Sequence, residues 1–343
     1  MTDVLIRKDG RAGHITLNRP KALNALTWDM CLQIEAAITD WASDDGVALI
    51  IIDAEGEKAF CAGGDIAEMY RTGTEGDFDY GRRFWTDEYR LNAKLARYPK
   101  PVVSFLQGFT MGGGVGLGCH CSHRVVGDTS QIAMPEVGIG LVPDVGGSLI
   151  LAHAPGQLGD YLALTAARMD AGNAIYAGFA DHYVPEDQWN ALKITMAETG
   201  QLPGFEHPAP NASFAAHDAE LKHYFSGATP ADIARALAVS DDDFAASALK
   251  AIKRHSPLAM ACGLSIIRRL RSTDDITRAL ELEYRFTSRA MEHGDFIEGI
   301  RAAIIDKDRS PNWRHTLDKV PAVDVSAMLH PLGADILNLE DPA

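Results

Sequence analysis

Two kinds of hydrophobic spacing divide the chain. In its first part, short apolar runs alternate with helical patterns. Residues 15–17 alternate in character, and residues 47–52 (Val-Ala-Leu-Ile-Ile-Ile) form a continuous apolar run of the kind buried on both faces of a sheet. Between them, Thr27 is suited to cap a helix that buries Met30, Ile34, Ile38 and Trp41 at helical spacing. A third strand, residues 102–106, leads into the cluster Gly112-Gly-Gly-Val-Gly-Leu-Gly118, with a helix expected over 115–121. Alternation of this sort predicts stacked β/α units with sites at the strand ends.

Past about residue 200 the strand signals stop. Residues 202–210 make a proline-rich connector. Thr229-Pro230 and Ser256-Pro257 then each place a capping side chain before proline at the first helical position. Thr273, followed by Asp274 and Asp275, is expected to open a long helix to about His293, and Asp295 to cap another. The pattern predicts an α/β core over residues 1–200 and a helical region over 201–343.

Composition narrows the partners. Of the 343 residues 46% are hydrophobic and 23% charged, the balance of an ordinary globular protein. The formal net charge of -15 argues against nucleic acid or an anionic membrane, since both need cationic patches. A polyanionic ligand stays compatible where its phosphates meet local Arg, Lys or helix N-termini. The five cysteines (Cys31, Cys61, Cys119, Cys121 and Cys262) are odd in number and irregularly spaced, unlike a disulfide framework. Residues 1–8 lack a basic-then-apolar leader, and no apolar run is long enough to span a bilayer. A reducing cytoplasm is the expected location.

Three segments could carry chemistry. The glycine cluster could aim backbone N–H groups at an anion or a developing oxyanion, or simply let strand and helix pack closely. It fits neither the dinucleotide nor the P-loop pattern in any register. Phe60-Cys-Ala-Gly-Gly-Asp65 could expose further N–H groups, with Asp65 capping a helix over 66–70; an ordinary strand-to-helix turn would look the same. Residues 134–147 set Glu136 and Asp144 among Met134, Val137, Ile139 and Val142. Partial desolvation there would raise a carboxyl's pKa towards acid–base use. Cys119-His-Cys-Ser-His123 offers soft ligands but no second pair downstream, so packing is the expected role and no metal is expected. No serine lies in G-x-S-x-G.

In order and separation, these segments resemble the enoyl-CoA hydratase (crotonase) superfamily. The segment Asn18-Arg-Pro-Lys-Ala-Leu-Asn-Ala-Leu26 looks like its CoA-contacting loop, with Lys21, Ala22 and Leu23 against substrate. Residues 59–65 and 112–114 look like the halves of its oxyanion hole. The resemblance implies a stacked β-β-α superhelix, with oxyanion N–H groups from Ala62 or Gly64 and from Gly113, and with Gly63 and Asp65 beside them. Within the superfamily, residues 4–313 resemble the 3-hydroxyisobutyryl-CoA hydrolases, including Ile305-Asp-Lys-Asp-Arg-Ser-Pro-Asn-Trp313.

That likeness implies hydrolysis of a short hydroxyacyl-CoA in valine catabolism. Glu136 would act as nucleophile or general base, and Asp144 would orient the 3-hydroxyl or the water. Glu88 would support the acyl pocket, and Lys21 and Arg19 would meet phosphates. It implies no metal or redox cofactor, CoA arriving with the substrate. It also implies a homo-oligomer, a trimer or a pair of trimers, with the C-terminal helices completing the CoA site. The first glutamate of the hydratase pair is matched by Gly116, which weakens the alternative of an enoyl-CoA hydratase or isomerase. A non-catalytic CoA-ester-binding protein is the remaining alternative, against which Glu136 and Asp144 speak.

Overall fold

The computed structural model describes residues 2–340. The first strands are β1 (Val4–Asp9), β2 (Ala12–Leu17), β3 (Leu49–Ala54), β4 (Ala59–Cys61) and β5 (Val102–Phe105). They are followed by β6 (Phe109–Met111), β7 (His123–Val126), β8 (Gln131–Ala133) and β9 (His182–Tyr183). After β9 the described residues are helical or irregular.

The strands sort into two sheets, in the orders β1-β2-β3-β5-β7-β9 and β4-β6-β8. Every pairing is parallel except the β1–β2 hairpin. Successive pairs β3/β4, β5/β6 and β7/β8 each give one strand to each sheet, which is the expected stacked β-β-α superhelix. The apolar run read from the sequence is buried because β3 lies inside the larger sheet between β2 and β5. Leu49, Ile51, Val103, Phe105 and Val125 pack with Trp189 and Met196 of helix Trp189–Thr199. Each such side chain contributes about 1.5–3 kcal/mol on burial.

By compactness the chain forms two units. One comprises the chain through Asp65, Asp87–Ala133 and Arg168–Ser213; the other comprises Ile66–Thr86, Met134–Ala167 and the chain from Phe214 onward. Against the expected boundary at 200, the first unit runs to Ser213, and two earlier excursions belong to the second. The outermost residues of the expected division, Met1 and 341–343, lie outside the described residues.

In the first unit, Thr27 caps helix Trp28–Ala42 by accepting from the Met30 N–H at 3.2 Å, and Met30, Ile34, Ile38 and Trp41 are buried. In the second, Thr229 forms a capping box with Asp232, and Ser256 caps helix Pro257–Leu270. Four local expectations need correction. The long helix is Ile276–His293, and its cap is Asp275 rather than Thr273, whose hydroxyl instead accepts from the Asp275 N–H. Asp295 does not cap Phe296–Ile300, because its carboxylate accepts from Ser256 Oγ at 2.6 Å and the Arg314 N–H at 2.9 Å. Asp65 does not cap Ala67–Thr74; it pairs with Arg19 at 3.0 Å. The glycine helix is Gly113–Gly118, earlier and shorter than expected. No helix among the described residues is long and apolar enough to cross a membrane.

Candidate active site

The three candidate segments each follow a strand of the smaller sheet. β4 runs into the loop at 62–65, β6 into Gly112, and β8 into the stretch holding Glu136. Carboxyl ends of parallel strands are where such folds place ligands, because the loops there are free of the ladder.

In the first unit, the loop at 62–65 is stitched to the segment before Thr27. The Ala62 N–H donates to Leu23 O at 3.0 Å, the Leu26 N–H to Gly63 O at 2.9 Å, and the Asp65 N–H to Leu26 O at 2.8 Å. Ala62 is therefore ruled out as an oxyanion donor: its N–H is already spent on Leu23. The N–H groups of Gly64 and Gly113 meet no acceptor among the described residues. A methyl group built on Gly113 would lie 3.4 Å from the Gly64 nitrogen and 2.6 Å from Glu88 Oε1. Both N–H donors and the Glu88 carboxyl thus gather at one spot that only glycine leaves open. One residue on, a methyl group on Gly114 would lie 2.2 Å from Cys61 O, so the helix start presses directly against β4. Burial pushes the Cys61 thiol up to about 12, which removes it as a thiolate nucleophile.

Within residues 18–26, expected to contact CoA, Arg19 departs from the role expected of it. Arg19 is turned inward, paired with Asp65 and with Asp3 at 3.3 Å and donating to Ala25 O at 2.6 Å, so its charge is already answered. Lys21 and Ala22, in the turn Pro20–Ala22, are exposed, and Leu23 is half-buried in a left-handed conformation. Lys21 has no carboxylate partner among the described residues.

In the second unit, Glu136 opens the 3-10 turn Glu136–Ile139 and is 4% exposed. The turn is tied down by the Ser256 N–H donating to Val137 O at 2.9 Å. Helix Phe296–Ile300 closes over it so tightly that a methyl group on Gly299 would lie 2.1 Å from Ile139 O. Asp144, also 4% exposed, precedes a left-handed pair, Val145 and Gly146. A third acid joins it, one that sequence reasoning missed. Glu283, wholly buried on helix Ile276–His293, accepts from the Gly146 N–H at 2.9 Å and from the backbone and hydroxyl of Ser148. Burial, reinforced by the nearby Asp144 charge, raises its carboxyl to about 8 despite those donors. Glu283 shares a helix face with Ile276, Ala279, Leu280, Thr287 and Ala290, and an acid within an apolar stripe was the signal to follow.

Cys119 and Cys121 are buried, and no group of three or more His, Cys, Asp or Glu among the described residues is placed to hold a metal ion. All five cysteines are free.

A family model described as Enoyl-CoA hydratase/isomerase matches residues 12–329. The mitochondrial 3-hydroxyisobutyryl-CoA hydrolase of Gallus gallus is 38% identical over 98% of this chain and 91% of its own. That of Rattus norvegicus is 38% identical over 97% and 90%. Among solved structures, an enoyl-CoA hydratase from Rhodobacter sphaeroides 2.4.1 is 55% identical with a TM-score of 0.96, covering 98% of this chain and 100% of that one. A carnitinyl-CoA dehydratase from Mycobacterium thermoresistibile is 40% identical with a TM-score of 0.91, covering 99% of both.

Proposed function

This chain belongs to the enoyl-CoA hydratase/isomerase family, and from that premise we propose that it is an acyl-CoA thioester hydrolase. Its substrate is 3-hydroxyisobutyryl-CoA, which water splits into 3-hydroxyisobutyrate and free CoA in valine catabolism. The similarity to hydrolases over nearly the whole chain supports this reading. The observation that carries it is a set of acids suited to hydrolysis and short of what hydration needs. Glu136 and Asp144 are buried in apolar turns, whereas helix Gly113–Gly118 holds no acid, glycine standing at 116.

In the proposed reaction, the N–H groups of Gly64 and Gly113 stabilise the oxygen as charge develops on it, a contribution of about 10²–10³ per donor. Glu136 attacks the carbonyl carbon, giving an anhydride that water opens, or takes a proton from the water that attacks. The C–S bond breaks with the electron pair leaving on the CoA sulfur, which takes its proton from the water consumed, through Glu136 where that residue acts as base. Asp144 orients the 3-hydroxyl or the water, and Glu88 supports the acyl group. No metal or redox cofactor takes part. Lys21 meets a CoA phosphate. A reducing compartment, the cytoplasm, fits five free, buried cysteines.

Thiol release over a panel of acyl-CoAs tests the assignment. 3-Hydroxyisobutyryl-CoA should be preferred, with 3-hydroxypropionyl-CoA following, since one methyl in an apolar pocket is worth only about 1–3 kcal/mol. Preference for acetyl-CoA or a long-chain ester over both would overturn it. Hydration of an enoyl-CoA is a second reading, favoured by the name of the Rhodobacter sphaeroides structure. It needs a second acid, and Glu88 beside Gly113 is where one would come from.

A further inference from the structure

The turn after Asp144 is held in an unfavourable shape. Val145 has φ 53° and Gly146 φ 78°. A β-branched residue keeps a left-handed conformation only when its surroundings impose it. Within the turn, the Gly147 N–H returns to Asp144 O at 2.7 Å. From outside the turn, the Glu283 side chain takes hold of it. Glu283 Oε2 accepts from the Gly146 N–H at 2.9 Å, and Oε1 accepts from the Ser148 N–H at 3.3 Å and also bonds the Ser148 hydroxyl.

Glu283 is 0% exposed, and among the described residues no Lys, Arg or His pairs with it. A buried acid without a cation is a poor way to stabilise a core, since an apolar side chain of the same volume costs less there. What the carboxyl supplies and a hydrocarbon cannot is two oxygens at a fixed spacing that take up the turn's N–H groups, with the acid's proton, when held, shared with the Ser148 hydroxyl. Both are directed at the turn that carries Asp144.

We propose that Glu283 is the positioning residue of Asp144: by gripping Gly146 and Ser148 it fixes the direction in which the Asp144 carboxylate is presented, and it affects turnover only through Asp144. The proposal rests on the role given to Asp144 above.

The test is a double-mutant cycle. Glu283→Gln keeps the size of the side chain but turns an N–H₂ group towards one of the N–H donors, so half the grip is lost. With Asp144 intact, kcat should fall about 10–100-fold while KM stays within about threefold, the result of a misaimed group rather than lost binding. With Asp144→Asn already in place, the further fall should be under about threefold, because residues that act as a unit are non-additive. An equal fall in both backgrounds, or none in either, overturns the proposal.

If Glu283→Gln does not fold, Ser148→Ala carries the same cycle, removing only the hydroxyl contact. The fall should then be about 3–10-fold with Asp144 intact and absent with Asp144→Asn, and equal effects overturn the proposal. Amide exchange adds an arm independent of the reaction. In Glu283→Gln the Gly146 and Ser148 amides should exchange at least about tenfold faster, with the rest of helix Ile276–His293 unchanged; slow exchange at both would sink the proposal. A wild-type protein that releases no thiol contradicts the hydrolase reading instead, and the exchange arm then decides this one.

Discussion

Replacing Gly113 by alanine would place a methyl group 2.6 Å from Glu88 Oε1, so either the carboxyl or the glycine strand end must move. A shift of Gly113 displaces an oxyanion donor, a shift of Glu88 disturbs the support of the acyl group, and in the first case thiol release should fall about 10²–10³-fold with the circular dichroism spectrum retained. Near-normal turnover would remove Gly113 from the site. Glu136→Gln and Asp144→Asn are near-isosteric and should each cut kcat about 10²–10⁴-fold without lowering the melting temperature by more than a few degrees. Wild-type rates in either variant would reduce that residue to a structural one. At this scale the sequence was informative about type and less so about partners. Glycines after two strands and acids among apolar residues were legible. That Ala62 spends its N–H on Leu23, that Asp65 neutralises Arg19, and that Glu88 touches Gly113 depend on chain segments up to 46 residues apart. No local pattern encodes such contacts.

At the scale of elements, helix Ile276–His293 carries the most consequential charge. Glu283 is raised from the usual carboxyl range to about 8, chiefly by burial, so the folded chain holds its proton more tightly than the unfolded one. Its contribution to stability is then fully present below about pH 4.5 and lost progressively as pH rises towards 8. Melting temperatures measured from pH 5 to 8.5 should fall for the wild type, and Glu283→Gln should flatten that fall. An unchanged slope in the variant would mean that other groups set the pH dependence. Caps written in consecutive residues, such as Thr27, Thr229-Pro230 and Ser256-Pro257, were readable because their chemistry is local. Asp295 was misread for the converse reason: a buried hydroxyl 39 positions away competes for its carboxylate.

For the whole molecule, the chain's order of segments was enough to recognise the superhelix. The exchange of chain between two compact units was not, because it is set by long-range packing rather than by any boundary signal. Large apolar side chains stand in water on the helical unit, with Val239 87%, Val323 70% and Ile336 66% exposed. A trimer or pair of trimers is the assembly that the resemblance leads one to expect, and it would have to be built on surfaces of this kind. Sedimentation should give three or six times 37.1 kDa; a monomer at micromolar concentration would contradict that. The account's central claim is that this family member breaks a thioester instead of hydrating a double bond. Adding water across an enoyl-CoA requires one group to deprotonate water and another to deliver a proton to the α-carbon, and Gly116 has no side chain to do either. The most direct test uses one enzyme preparation and two substrates, crotonyl-CoA and 3-hydroxyisobutyryl-CoA, with enoyl absorbance and free thiol followed together. The account predicts rapid thiol release from the hydroxyacyl ester and a nearly constant enoyl band with crotonyl-CoA. Rapid loss of the enoyl band without thiol would contradict it and make the protein a hydratase.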